Sequence, residues 1–119
     1  MCGDASWGTA TLAMVSEACE HIDLQIVLRD SHPQLIKHYN TGGSESIPKL
    51  VCYKKKDLTE LGTWGPRPQA LQAIVTNTLQ GGQFDYKESV RKIHEWYRTD
   101  MTRSTQEELC DLIKEWKTL

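Results

Sequence analysis

The feature that most constrains this chain is a hairpin written into residues 49–64. Lys49-Leu-Val-Cys-Tyr53 and Leu58 to Trp64 are two β-prone runs separated by the short polar stretch Lys54-Lys-Lys-Asp57. A connection that short predicts an antiparallel pair. Gly65-Pro66-Arg67-Pro68 then ends the second strand, because proline cannot donate to a ladder and glycine weakens one.

Around this pair the periodicity changes. Leu12, Val15, Ala18 and Cys19 recur at helical spacing, predicting a helix over 5–20 with Glu17 and Glu20 on its outer side. Ile22 to Leu28 is a short aliphatic run, expected to be a buried strand. Ser31-His-Pro-Gln34 reads as a capped helix start with Pro33 in the first turn, and Asn40 with Gly42-Gly43 ends that helix. Leu71, Ile74, Val75 and Leu79 set the inner face of a helix that Gly81-Gly82 terminates. The tail carries two more helices. Val90, Ile93, His94 and Tyr97 share a face over 85–98, and Ser104-Thr-Gln-Glu107 reads as a capping box before Leu109, Leu112, Ile113 and Trp116. Trp96, Tyr97 and Trp116 are expected to pack on the domain. The order helix, strand, helix, hairpin, helix predicts an α/β fold, with a domain over 1–81 and a helical extension over 84–119.

At 119 residues the chain holds one domain's worth of core. A net charge of −2 gives no reason to expect a nucleic acid or a membrane surface as partner. No apolar run nears the roughly 20 residues of a membrane span, and the start lacks a secretory pattern, so the expected compartment is the cytoplasm. The four cysteines, Cys2, Cys19, Cys52 and Cys110, include no C-x-x-C pair, and the four histidines are equally dispersed. That spacing predicts neither a metal site nor a bound cofactor. Cys19, Cys52 and Cys110 are expected to be small buried hydrophobes.

Cys2 is different. It stands at a predicted helix start, where unpaired backbone N–H groups and the positive end of the dipole favour thiolate. Asp4 opposes this, since a nearby carboxylate disfavours a second negative charge. Pro48 opens the first hairpin strand and Gly65 follows the second, a place where a ligand backbone could approach closely. Trp64 leaves two readings open, substrate contact or core. Arg67 is expected to serve structure rather than to steer an acidic partner.

These residues resemble the thioredoxin superfamily, most closely bacterial proteins with a Trp-Cys-Gly-Asp-Ala type motif. The likeness is carried by Cys2-Gly3-Asp4-Ala5, Leu28-Arg29-Asp30, Gly43-Ser-Glu-Ser-Ile47-Pro48-Lys49-Leu50 and Gly62-Thr-Trp64-Gly65-Pro66-Arg67-Pro68. His94-Glu-Trp96-Tyr97-Arg-Thr-Asp100 and Gln106-Glu107-Glu108 extend it into the tail. The resemblance implies a thioredoxin-like sheet with flanking helices and thiol–disulfide chemistry through Cys2. It implies a cis peptide at Ile47–Pro48 that offers the Ile47 backbone to an extended peptide, with Trp64 and Gly65 completing the groove. Gly3, Asp4 and Ala5 are the motif neighbours. Protein disulfides or glutathione-like thiols are the implied substrates.

Two departures qualify the resemblance. Ala5 occupies the position of a resolving cysteine, and Cys19 lies about 25 Å along the same helix at 1.5 Å per residue. The chemistry implied is therefore monothiol, with an external thiol as resolver; the alternative is a non-catalytic peptide-binding module. Second, Met1 stands where the family has Trp, so the central strand that leads into the motif is missing from the chain. Buried backbone groups without partners cost about 1–3 kcal/mol each. The expectation is a fragment or a misplaced start, the alternative being a gap filled in trans by a partner or by dimerisation.

Overall fold

In the computed structural model, residues 3–81 and 85–119 are described, with the side chains of 79 and 80 outside that description. Helix α1 spans Gly3–Ala18, a 3₁₀ turn spans Arg29–Ser31, and α2 spans Pro33–His38. Strands β1 (Leu50–Tyr53) and β2 (Glu60–Trp64) follow, then α3 (Gln69–Gln80), α4 (Tyr86–Asp100) and α5 (Arg103–Trp116). The class is mixed α/β, as expected.

The hairpin forms with Leu50 opposite Trp64, Val51 opposite Thr63 and Cys52 opposite Gly62, and a bulge falls between Cys52 and Tyr53. Leu58 does not join the strand. It takes a left-handed φ of 59° and is exposed at the end of a tight turn closed by the Leu58 N–H donating to the Lys54 carbonyl. Tyr39, just past α2, donates to Glu60 Oε1 at 2.5 Å and pairs with the Tyr53 hydroxyl at 2.7 Å. The Glu60 carboxylate, aided by Tyr53, pushes the Tyr39 hydroxyl's pKa up.

The expected strand over 22–28 is not a strand. The segment has no ladder partner among the described residues, whose sheet is β1–β2 alone. Ile26, Val27 and Leu28 are 61%, 55% and 71% exposed. A β-prone run becomes a strand only where a neighbour satisfies its backbone groups. Its ends are nevertheless tethered: Asp23 pairs with Lys55 at 2.7 Å, and Arg29 Nη1 donates to the Glu45 carbonyl at 3.4 Å.

Helix starts also differ in detail from the sequence pattern. Ser31 lies in the 3₁₀ turn, and α2 begins at Pro33 after His32, with no side-chain cap. Ser104 is inside α5 and forms no capping box. Instead Asp100, the last residue of α4, accepts from the Ser104 backbone N–H at 3.1 Å and from its hydroxyl at 2.6 Å. One carboxylate thus satisfies the α5 start across a tight corner in which Met101 and Thr102 are left-handed.

The core is small and lies where the tail helices meet the rest. Its buried apolar members are Ala5, Ile36, Trp64, Leu71, Tyr97, Leu109 and Trp116. Ile74 is exposed, so α3 buries chiefly Leu71. Helix α1 buries Asp4, Ala5, Gly8 and Thr11, a face rotated from the expected one, leaving Leu12 and Val15 half-buried. Small residues on that face admit close neighbours. No helix among the described residues is long and apolar enough to cross a membrane.

Candidate functional site

The first described turn of α1 follows directly on Cys2, which itself lies outside the described residues. Asp4 is 1% exposed. A buried carboxylate needs compensation, and two elements supply it. Arg67, in the loop before α3, donates Nε at 3.1 Å and Nη2 at 2.8 Å to Asp4 Oδ2. Tyr97 of α4, also 1% exposed, donates its hydroxyl to Oδ1 at 2.5 Å. Arg67 also donates to Gln72 Oε1 at 3.3 Å. The guanidinium thus sets a cation directly against the Asp4 carboxylate. Trp7, one turn on, stacks on Tyr97 with ring centroids 5.5 Å apart.

The second part is built from two loops that meet on α1. The Ile47–Pro48 peptide is cis, as is Gly65–Pro66. Pro48 is buried against Gly8: a Cβ there would lie 2.8 Å from Pro48 Cγ. Gly65 has φ +112°, and a Cβ on it would lie 2.4 Å from the Pro48 carbonyl oxygen. No side chain fits that approach. Lys49 Nζ reinforces the junction, donating to the Gly65 carbonyl at 3.3 Å and to Thr41 Oγ1 at 3.2 Å. Ile47 is half-buried beside them. An open groove of about 390 Å³ runs between the end of β2 and α5, lined among others by Lys49, Gly65, Arg67, Glu108 and Asp111.

Trp64 is 7% exposed and takes the core position. Its ring N–H donates to Glu108 Oε1 at 2.9 Å, while Oε2 of the same carboxylate accepts from the Gln69 backbone N–H at 2.8 Å. Glu108 therefore caps α3 from α5, which Pro68 at the N-cap cannot do. The structure thus brings Ile47, Pro48, Trp64 and Gly65 together, with Gly3, Asp4 and Ala5 on the adjacent helix. Ala5 is buried in the core.

The remaining cysteines differ from one another. Cys19 and Cys52 are half-buried, and burial pushes the Cys52 thiol's pKa up. Cys110 is exposed, contrary to expectation. It follows Leu109 on α5, and a 100° step carries it off the buried face. Among the described residues no three His, Cys, Asp or Glu side chains group as metal ligands.

A family model described as thioredoxin matches residues 1–81. The chain belongs to the thioredoxin family. No curated protein matches it, and no solved structure does. The match ends where α3 ends, yet Tyr97 and Glu108, which hold the motif turn and the Trp64 corner, come from the helices beyond it. Tyr97 and His94 share a helix face that is legible in the sequence, whereas their places against Asp4 and Gly3 are set by tertiary packing.

Proposed function

We propose that this thioredoxin-family chain is a thiol–disulfide redox protein that works through Cys2 as a single thiol. The observation that carries the reading is the junction of Pro48, Gly65 and Gly8 on the helix whose first turn follows Cys2. A cis-proline loop packed on the helix that starts just after Cys2 suits an extended peptide that brings a disulfide to the thiol. Ile47 offers backbone groups to that peptide, and Gly65 lets the neighbouring loop close on the Pro48 carbonyl.

The Cys2 thiolate attacks one sulfur of a substrate disulfide, forming a mixed disulfide and expelling the other sulfur as thiolate. Ala5 offers no internal attack. A thiolate of the glutathione class therefore attacks the Cys2 sulfur and releases the substrate's second thiolate. A second such thiol frees Cys2 and leaves as the external disulfide, so two external thiols supply the two electrons. Protein disulfides or glutathione mixed disulfides are the substrates proposed, and the cytoplasm, where thiols are kept reduced, is the proposed compartment.

The test is turnover of insulin disulfides with glutathione as reductant. Wild-type protein is expected to accelerate reduction and Cys2→Ser to fall to the uncatalysed rate. Equal rates for the two, or insulin binding by both without turnover, would sink the redox reading.

A further inference from the structure

Lys49 is a half-buried cation held by neutral oxygens. An ammonium carries three N–H donors. Two of them go to the Gly65 carbonyl at 3.3 Å and to Thr41 Oγ1 at 3.2 Å, and no carboxylate lies within ion-pair distance of Nζ among the described residues. Both contacts are long for hydrogen bonds of an ammonium, and a charge drawn partly out of water calls for a counter-ion. The side chain lines the groove of about 390 Å³ between the end of β2 and α5, a volume in the range that takes a small ligand.

The other charged groups of that groove are accounted for one by one. Arg67 is occupied by Asp4 and Gln72. Glu108 is occupied by the Trp64 ring N–H and the Gln69 backbone N–H. Asp111, exposed on α5, makes no ion pair among the described residues. The groove therefore presents one uncommitted cation, Lys49, from the hairpin side and one uncommitted anion, Asp111, from α5. Trp64 and Leu112 add apolar lining.

We propose that this groove binds a short peptide segment through a single carboxylate, which takes the third donor of Lys49 as a charge-assisted hydrogen bond. A cationic group on the same segment faces Asp111. The carboxylates of Glu108 and Asp111 repel a second negative charge, so the groove selects a zwitterionic segment over a polyanion such as phosphate. The carboxylate is that of a chain end or of an acidic side chain; the chemistry that recognises it is the same. The site goes beyond the redox reading and does not depend on it, since Cys2 takes no part.

The experiment is an NMR titration of the whole protein that follows the Trp64 ring N–H signal, whose group lies in the groove wall. Three probes are used: lysyl-leucine, whose carboxylate is terminal; lysyl-glutamic α-amide, whose carboxylate is on the side chain; and lysyl-leucinamide, which has none. At least one acid is expected to shift the signal with a Kd of about 1 mM, and the probe without a carboxylate to bind roughly tenfold more weakly. Which acid binds better identifies the source of the carboxylate. Lys49→Gln keeps a donor for Gly65 and Thr41 but no charge, and is expected to lose the preference for the acids. Inorganic phosphate is expected to bind more weakly than the better acid. Equal binding of acids and lysyl-leucinamide by the wild type overturns the inference, whether or not the variant folds. So does an acid preference that survives in Lys49→Gln, phosphate binding as tight as that of the acids, or no shift with any probe up to about 10 mM.

Discussion

At the scale of single residues, Asp4 decides the most. Its carboxylate is enclosed with an arginine and a phenol, so removing Arg67 takes a countercharge from a buried carboxylate. Arg67→Ala is expected to destabilise the protein by about 3 kcal/mol or more. Tyr97→Phe, which removes one charge-assisted bond but keeps the ring on Trp7, should cost about 1–3 kcal/mol. Urea unfolding followed by circular dichroism checks both, and equal losses would contradict the argument. Gly65→Ala belongs to the same scale: a left-handed φ and a Cβ 2.4 Å from the Pro48 carbonyl predict a displaced loop and a loss of insulin turnover. Thiol titration is a further residue-level check. A raised pKa means less thiolate at any given pH, so Cys52 should label more slowly than exposed Cys110 throughout pH 7–9.

At the scale of elements, α5 acts as a brace. Trp116 fills the space over Gly62 on β2, where an added Cβ would lie 2.6 Å from Nε1. Glu108 ties Trp64 to the start of α3. Gly62→Ala should push the Trp116 ring out of its buried place and red-shift tryptophan emission; unchanged emission with unchanged stability would refute the contact. The 22–28 run shows the opposite condition. Its β propensity was plain in the sequence, but a strand is a relation between two backbones, and no second backbone lies in register with it among the described residues. Exposed apolar surface of that kind favours self-association. Val27→Lys is expected to lower light scattering at high protein concentration without lowering the melting temperature.

At the scale of the whole molecule, the radius of gyration is 15.0 Å, against about 13.5 Å for a compact chain of this length. The chain is spread thin, and the tail carries a large part of its core. Tyr97, Leu109 and Trp116 are buried and come from α4 and α5. A chain cut after Gly81 would bare Trp64 and leave Asp4 without its phenol. It is expected to lose cooperative thermal unfolding, although the thioredoxin family match lies wholly within it. A sharp melt for residues 1–81 would show that the tail is an accessory.

What the sequence determined by itself is what local chemistry can write: the helix periods, the hairpin turn, the breaks at Gly65 and Pro66, and the thiol at Cys2. The α/β class followed from their order. What only the tertiary structure decided is where polar groups find partners. Asp4, Arg67 and Tyr97 lie 63 and 93 residues apart along the chain from Asp4, and neither spacing nor periodicity encodes a pairing that distant. Ser104 and Ser31 had good capping sequences, yet helix starts were settled by Asp100 and Pro33, because neighbouring elements fixed the corner geometry first. The same reason put His94 beside the motif: the helix face was legible, but its neighbour became known only when the chain folded back.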